Sequence, residues 1–199
     1  MFRVPSIGFA VFFTCLLMSV SANSQVKQLL DLAEVSDLPV WSPQQKAETT
    51  IGHSGKLNLL VLISPECPMS INYTLTLNQL QEQYARELSI TGLIVGSSYS
   101  DETIKQFAAS YKISYPLLVD RKKEIALTLK GEVTPEVYLF DQSGRCVYRG
   151  AIDNWLMTLG KKKQKPDRFY LADAIRQAVK GEPIPTAYVK AQGCALNEY

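Results

Sequence analysis

Histidine is almost missing from this chain, which has His53 and no other in 199 residues. With one imidazole, the nitrogen-and-sulfur ligand sets of ordinary zinc or copper sites are hard to assemble. The sequence therefore implies no metal and no cofactor. An excess of charge is lacking too. The formal net charge is +2, which argues against nucleic acid or an acidic membrane surface as the main partner. Low-complexity tracts and internal repeats are absent, and 46% of the residues are apolar, the composition of a globular chain with a real core.

The apolar stretch Ile7 to Val20 is short for a membrane span. It follows a single positive charge, Arg3, and ends in Val20-Ser21-Ala22, a small-x-small pattern. Residues 1–22 are thus expected to be a secretory signal peptide, with an uncleaved anchor as the competing reading. The product would be periplasmic or secreted and not stably inserted in the membrane. Cleavage removes Arg3 and Cys15, leaving 20 basic against 19 acidic side chains and a net charge of +1.

Three cysteines then remain: Cys67, Cys146 and Cys194. An odd number leaves at least one thiol unpaired or paired with another molecule. An oxidising compartment permits a disulfide but does not choose among the three possible pairs.

Behind the leader, residues 23–56 read as a lead-in with a short amphipathic piece and a Pro/Ser-containing stretch. Leu57 to Ile63 has the apolar run of a strand buried on both faces. Ser64-Pro65-Glu66-Cys67-Pro68 breaks that strand. Leu77, Leu80, Tyr84 and Leu88 then recur at helical spacing. Ile90–Val95 reads as a second buried strand, and Asp101-Glu102 opens a second helix with acidic residues in its first turn. Pro116–Asp120 is expected as a short strand and Lys122–Lys130 as a short helix. Thr134–Phe140 and Arg145–Arg149 read as a hairpin about the Asp141–Gly144 turn, before a last helix at Tyr170–Lys180. Strand–helix alternation ending in a hairpin predicts an α/β domain over 57–182 with a mixed central sheet flanked by helices. Residues 183–199 read as an irregular tail.

Chemistry concentrates at Cys67-Pro68-Met69-Ser70. A helix N-terminus carries unpaired N–H groups and partial positive charge, which stabilise a thiolate and raise its reactive fraction. Pro68 suits the first helical turn because it has no N–H to leave unpaired. Glu66 opposes this effect by like charge. The competing reading is a buried, inert thiol.

Taken with Val133-Thr134-Pro135-Glu136-Val137 about seventy residues later, Ser64-Pro-Glu-Cys67-Pro-Met-Ser70 resembles the thioredoxin superfamily. The nearer likeness is to its redoxin branch of alkyl hydroperoxide reductase and thiol-specific antioxidant proteins. Asp141-Gln-Ser-Gly144, Tyr148-Arg149-Gly150 with Asp153, and Gly193-Cys194 extend the likeness over about residues 50–196. It implies a three-layer thioredoxin-like fold and a cis peptide between Thr134 and Pro135 beside the reactive cysteine, cis bonds being nearly confined to X-Pro. Thr134 and Pro135 would face substrate, with Ser64, Pro68 and Ser70 lining the site.

Two departures shape the expected reaction. Ser70 stands where reductases carry a second cysteine, so no dithiol cycle can run inside the motif. Leu60 stands where the peroxidase pattern Pro-x-x-x-Thr/Ser-x-x-Cys has its proline, although Ser64 fits the hydroxyl position. Cys194 is a candidate resolving thiol if the tail folds back. A bridge from Cys194 to Cys146, or no bond, remains open at this stage, with Cys146 expected in the core. The expected partners are protein thiols or disulfides, or a redox partner protein. The leading expectation is an exported thiol–disulfide oxidoreductase-like protein. A weak thiol peroxidase and a non-catalytic accessory module of an envelope redox system are the alternatives. Lys161–Lys165 reads as a solvated loop, Trp41 and Trp155 as packing residues, and Arg149 with Asp153 as a candidate ion pair.

Overall fold

A computed structural model describes residues 30–158 and 160–196; the expected signal peptide lies outside them. In chain order the elements are α1 (Ala33–Ser36), β1 (Val40–Ser42), β2 (Ala47–Thr49), β3 (Leu57–Leu62), α2 (Pro68–Gln83), β4 (Leu88–Val95), α3 (Asp101–Ser110) and β5 (Leu117–Asp120). They continue with α4 (Glu124–Leu129), β6 (Val133–Thr134), β7 (Glu136–Phe140), β8 (Cys146–Gly150), β9 (Leu156–Thr158), β10 (Lys161–Lys162), α5 (Tyr170–Lys180), β11 (Tyr188–Val189) and β12 (Cys194–Ala195).

The main sheet has the order β11-β8-β7-β3-β4-β5-β1-β2. β3, β4 and β5 run parallel, as strands joined through helices must, while β7 and β8 return antiparallel as the hairpin. β3 lies between β4 and β7, and all six of its residues are buried. A strand covered on both faces is mostly apolar, which is why Leu57 to Leu62 reads as a run interrupted only by Asn58, whose buried amide donates to the Lys56 carbonyl at 2.9 Å.

Alternate β3 residues serve opposite layers. Leu57, Leu59 and Val61 pack with Tyr73, Leu77 and Leu80 of α2, with Ile104 and Phe107 of α3, and with Leu171 and Ile175 of α5. Leu60 and Leu62 pack with Val35 of α1 and with Ile125 and Leu129 of α4. Ser100 caps α3 by accepting the Thr103 N–H at 3.1 Å. Helices cover both faces of a mixed sheet: this is the three-layer thioredoxin-like fold.

Both ends of the domain carry more structure than the sequence patterning showed. The lead-in contributes β1 and β2 to the sheet, where β1 pairs with β5 through Trp41 and Val119. Trp41 is pinned by its indole N–H, which donates to Asp101 at 2.8 Å, and by Arg121 stacked 3.8 Å over its ring. In the expected irregular tail, β11 pairs parallel with β8, and β12 pairs antiparallel with β6. Lys161 and Lys162 form an antiparallel pair with β9 where a loop was expected. Asp153 accepts from the Tyr73 hydroxyl and the Trp155 N–H, a tie between α2 and the segment after β8.

Gly150 is the joint where β11 docks. Its φ of +117° suits glycine, and a Cβ there would run into the Val189 carbonyl. Gly150→Ala is expected to cost about 1–3 kcal/mol, read as a lower urea midpoint at unchanged m-value. A variant as stable as the wild type would mean that β11 is not part of the folded domain.

Candidate active site

β3 ends at Leu62, and the Ile63 N–H still bonds to the Leu93 carbonyl at 3.0 Å before the chain turns. The turn closes through the Cys67 N–H on the Ser64 carbonyl at 3.2 Å. Cys67 is the N-cap of α2, extended at φ −82° and ψ 113°, with Pro68 in the first helical turn. Its carbonyl accepts from the Ile71 N–H at 3.0 Å, the start of the helical ladder. The sulfur therefore sits where unpaired N–H groups and the helix dipole favour a thiolate.

Ser70 is fully buried beneath this turn, and its hydroxyl accepts the Ser64 N–H at 3.2 Å. A hydroxyl at the position of a second cysteine thus ties the end of β3 to α2. The Ser64 hydroxyl pairs with the Tyr99 hydroxyl at 3.0 Å, and Tyr99 also reaches Glu66 at 3.4 Å. Leu60 lies in the interior of β3, paired with Thr91 on one side and Tyr138 on the other. A proline there would break a central ladder. The peroxidase pattern is therefore incomplete here for a backbone reason.

The Thr134–Pro135 peptide is cis, as the resemblance implied. Both residues are buried, and the Thr134 carbonyl oxygen lies 3.1 Å from the Cys67 sulfur. On the other side of Thr134 stands the tail: Cys194 pairs with Thr134, Ala195 pairs with Val133, and the Leu196 N–H donates to the Glu132 carbonyl at 3.0 Å. Gly193 lies so close that a Cβ would meet the Thr134 carbonyl.

Of the three pairings left open by the sequence, the structure contains the Cys67–Cys194 disulfide, with Cα atoms 6.0 Å apart, inside the range a disulfide spans. Cys146 is free and buried in the core, and burial pushes its thiol up to about 12. Cys67, Cys194, Ser64, Pro68, Ser70, Thr134 and Pro135 are brought into one region at the ends of β3 and β6.

Three further side chains belong to this region and were not singled out as site residues from the sequence. Tyr99, after β4, reaches Ser64 only through the fold. Lys123, before α4, lines a cavity of about 440 Å³ that also touches Cys67, Cys194, Ser64, Glu66 and Tyr99. Glu136, next to Pro135, is 4% exposed and accepts the Glu132 N–H at 3.0 Å, with burial raising its carboxyl above the ordinary value. Glu136 thereby holds the strand edge on which the tail lies. Its place beside the Thr-Pro pair was a usable hint, but the charge reads as exposed until burial is known.

Solved structures share this architecture at low sequence identity. A hypothetical protein from Sinorhizobium meliloti superposes with a TM-score of 0.74 at 19% identity, over 88% of this chain and 97% of that one. An uncharacterized conserved protein from Geobacillus kaustophilus gives 0.70 at 20%, over 86% and 94%. The bacterioferritin comigratory protein of Xanthomonas campestris, described for alkyl peroxide reduction activity, gives 0.54 at 20%, over 77% and 96%. No curated protein sequence matches the chain. The family description AhpC/TSA matches residues 41–149, from β1 through the hairpin, and so spans the strand–Cys67–helix unit and the Thr134–Pro135 turn. A cysteine at the head of α2, a cis Thr-Pro edge beside it and that match together make the chain a redoxin of the thioredoxin superfamily, a member of the AhpC/TSA family.

Proposed function

We propose that this protein is an exported thiol–disulfide oxidoreductase that cycles between the Cys67–Cys194 disulfide and the two free thiols. One observation carries the reading: the motif keeps a single cysteine, Cys67, and the tail brings a second sulfur to it beside the Thr134 carbonyl. The missing position of the Cys-x-x-Cys pair is then supplied from 127 residues away. In the reducing direction the Cys67 thiolate attacks a substrate disulfide and forms a mixed disulfide, releasing one substrate thiolate. Cys194 then attacks the Cys67 sulfur, releases the second substrate thiolate and restores the internal bond. In the oxidising direction the same steps run backwards. Export is proposed from the leader pattern in residues 1–22. Among the described residues no helix is long and apolar enough to cross a membrane.

The direct test uses the mature protein with insulin or a model disulfide and a chemical reductant. Cys67→Ser should reduce turnover to the background rate, while Cys194→Ser should leave long-lived mixed disulfides on Cys67. Activity surviving in Cys67→Ser would overturn the assignment. A peroxide-consumption assay under the same reductant tests the peroxidase reading, and silence in both assays favours a non-catalytic accessory module.

Among the thiols of the reduced mature protein, Cys67 should be alkylated first by iodoacetamide. Cys146, held to about 12 by burial, stays protonated at neutral pH and should label only on unfolding. Faster labelling of Cys146 in the native state would contradict its place in the core.

Ser70→Cys should convert the motif into Cys-x-x-Cys, with a second thiol one helical turn from Cys67. Part of the oxidised variant should then carry a 67–70 bond in place of 67–194. Mixed disulfides should be shorter-lived, because resolution no longer needs the tail. Peptide mapping under non-reducing conditions reads the bond. A folded variant with only the 67–194 bond would show that residue 70 does not face the Cys67 sulfur.

A further inference from the structure

Charge is unevenly spread along this chain. Residues 161–168 hold five basic side chains, Lys161, Lys162, Lys163, Lys165 and Arg168, against one acid, Asp167. The rest of residues 23–199 then holds fifteen basic side chains against eighteen acidic ones. The basic cluster is concentrated on a molecule whose remainder is slightly negative.

The cluster is also built rather than loose. β9 and β10 pair antiparallel, with Lys161 opposite Thr158 and Lys162 opposite Leu156. Below them the Lys163 N–H donates to the Trp155 carbonyl at 2.8 Å and the Asn154 N–H to the Arg168 carbonyl at 3.2 Å. The Asn154 side-chain oxygen accepts the Asp167 and Arg168 N–H groups at 3.0 and 3.1 Å. Within this frame the Lys163 ammonium is neutralised by Asp167 at 2.8 Å. Lys161, Lys162, Lys165 and Arg168 are exposed.

The frame stands at the reactive end of the sheet. Gly150, the last residue of β8, is paired with Val137, two residues beyond Pro135, so the chain leaves β8 on the side of the Thr134–Pro135 turn. It is then tied to α2, the helix that Cys67 caps: Asp153 accepts from the Tyr73 hydroxyl, and the Trp155 ring meets the Tyr73 ring edge-on at 5.9 Å. The Lys162 ammonium lies 5.4 Å from the Trp155 ring. Six residues of helix separate Tyr73 from Cys67 by about 9 Å, which puts Lys162 on the order of 20 Å from the reactive sulfur. One side of a standard protein interface covers about 800 Å², roughly 30 Å across, so one partner can cover both.

We propose that the β9–β10 hairpin is a docking arm for a redox-partner protein, taking carboxylates that flank the partner's own disulfide. The proposal rests on the dithiol cycle between Cys67 and Cys194 and adds the charge of the protein it acts on. The arm lies on the β8 flank of β3, whereas the exposed Glu66 shares its cavity with Tyr99 on the β4 flank. An acidic partner is thus drawn to one side of Cys67 and kept off the other, which fixes its orientation as well as its rate of encounter. An anionic membrane is the weaker match. The two strands expose one large apolar side chain, Met157, and a membrane-surface element needs a larger apolar face.

The test uses reduced mature protein and three synthetic peptides, each closed by one disulfide and identical except for four flanking positions filled with Glu, Gln or Lys. Loss of protein thiols gives each exchange rate, which is divided by the rate of the same peptide with dithiothreitol, a neutral thiol, to remove differences in the peptide's own reactivity. At low salt the ratio for the Glu peptide should exceed that for the Lys peptide by about tenfold, the low end of electrostatic steering. The preference should vanish near 0.5 M salt, where the screening length is about 4 Å. The triple variant Lys161→Gln, Lys165→Gln, Arg168→Gln should lose the preference and keep the wild-type ratio for the Gln peptide, which also reports that it is folded. The salt series on the wild type stands independently of any variant. Equal ratios for the three peptides overturn the proposal and leave the dithiol cycle standing. So does sedimentation of the wild type, but not the triple variant, with phosphatidylglycerol vesicles when no peptide preference is seen. No exchange with any of the peptides overturns the cycle and the docking arm together.

Discussion

Thr134 faces two partners at once. Its carbonyl oxygen lies 3.1 Å from the Cys67 sulfur, and its residue pairs with Cys194 across an antiparallel bridge. The rest of the site follows from that double contact. The tail can reach Cys67 only by lying along β6, and β6 is held in position by Glu136, whose buried carboxylate takes the Glu132 N–H. Gly193 is required where the tail passes the Thr134 carbonyl, since any side chain there would collide with it. The proximity of the two sulfurs is therefore a backbone arrangement first and a covalent bond second.

The sheet that carries this arrangement is built from strands of different legibility. β3 could be read from residues alone because a strand buried on both faces is apolar at nearly every position, Asn58 being the exception here. The start of α2 was equally readable, since a strand break followed by Cys-Pro and a helical period has few other interpretations. The outer strands were not readable. β1 and β2 are three residues each, and β11 and β12 only two, too short for a period to be visible. Their pairing is decided by partners far away in the chain.

The site divides the same way. Cys67, Pro68 and the Thr134–Pro135 pair stood out through local chemistry and family likeness. The choice of Cys194 over Cys146 did not, because nothing in a sequence compares two distances. What decides it is that Cys146 faces the core packed by Leu60, Tyr138 and Phe140, while β12 brings Cys194 to the sheet end. Asp153 illustrates the limit again: Arg149 was a reasonable partner by spacing, yet its oxygen accepts from Tyr73 on α2 and from the Trp155 backbone. Ser70 reads as a lost cysteine in the sequence and as a buried hydrogen-bond acceptor in the structure, and both descriptions hold.

The sequence separation of 127 residues between the two bonded cysteines has a consequence for biosynthesis. Among the described residues Cys194 follows every helix and every other strand, so Cys67 cannot meet its native partner until the sheet, its helices and the tail have all been made. A closed loop of that length withdraws on the order of 5 kcal/mol of chain entropy from the unfolded ensemble, and that gain arrives only at the end of folding. Until then the protein must reach its native topology through packing alone, with an uncommitted thiol at the head of α2. The bond acts as a seal on a finished molecule rather than a guide to its assembly.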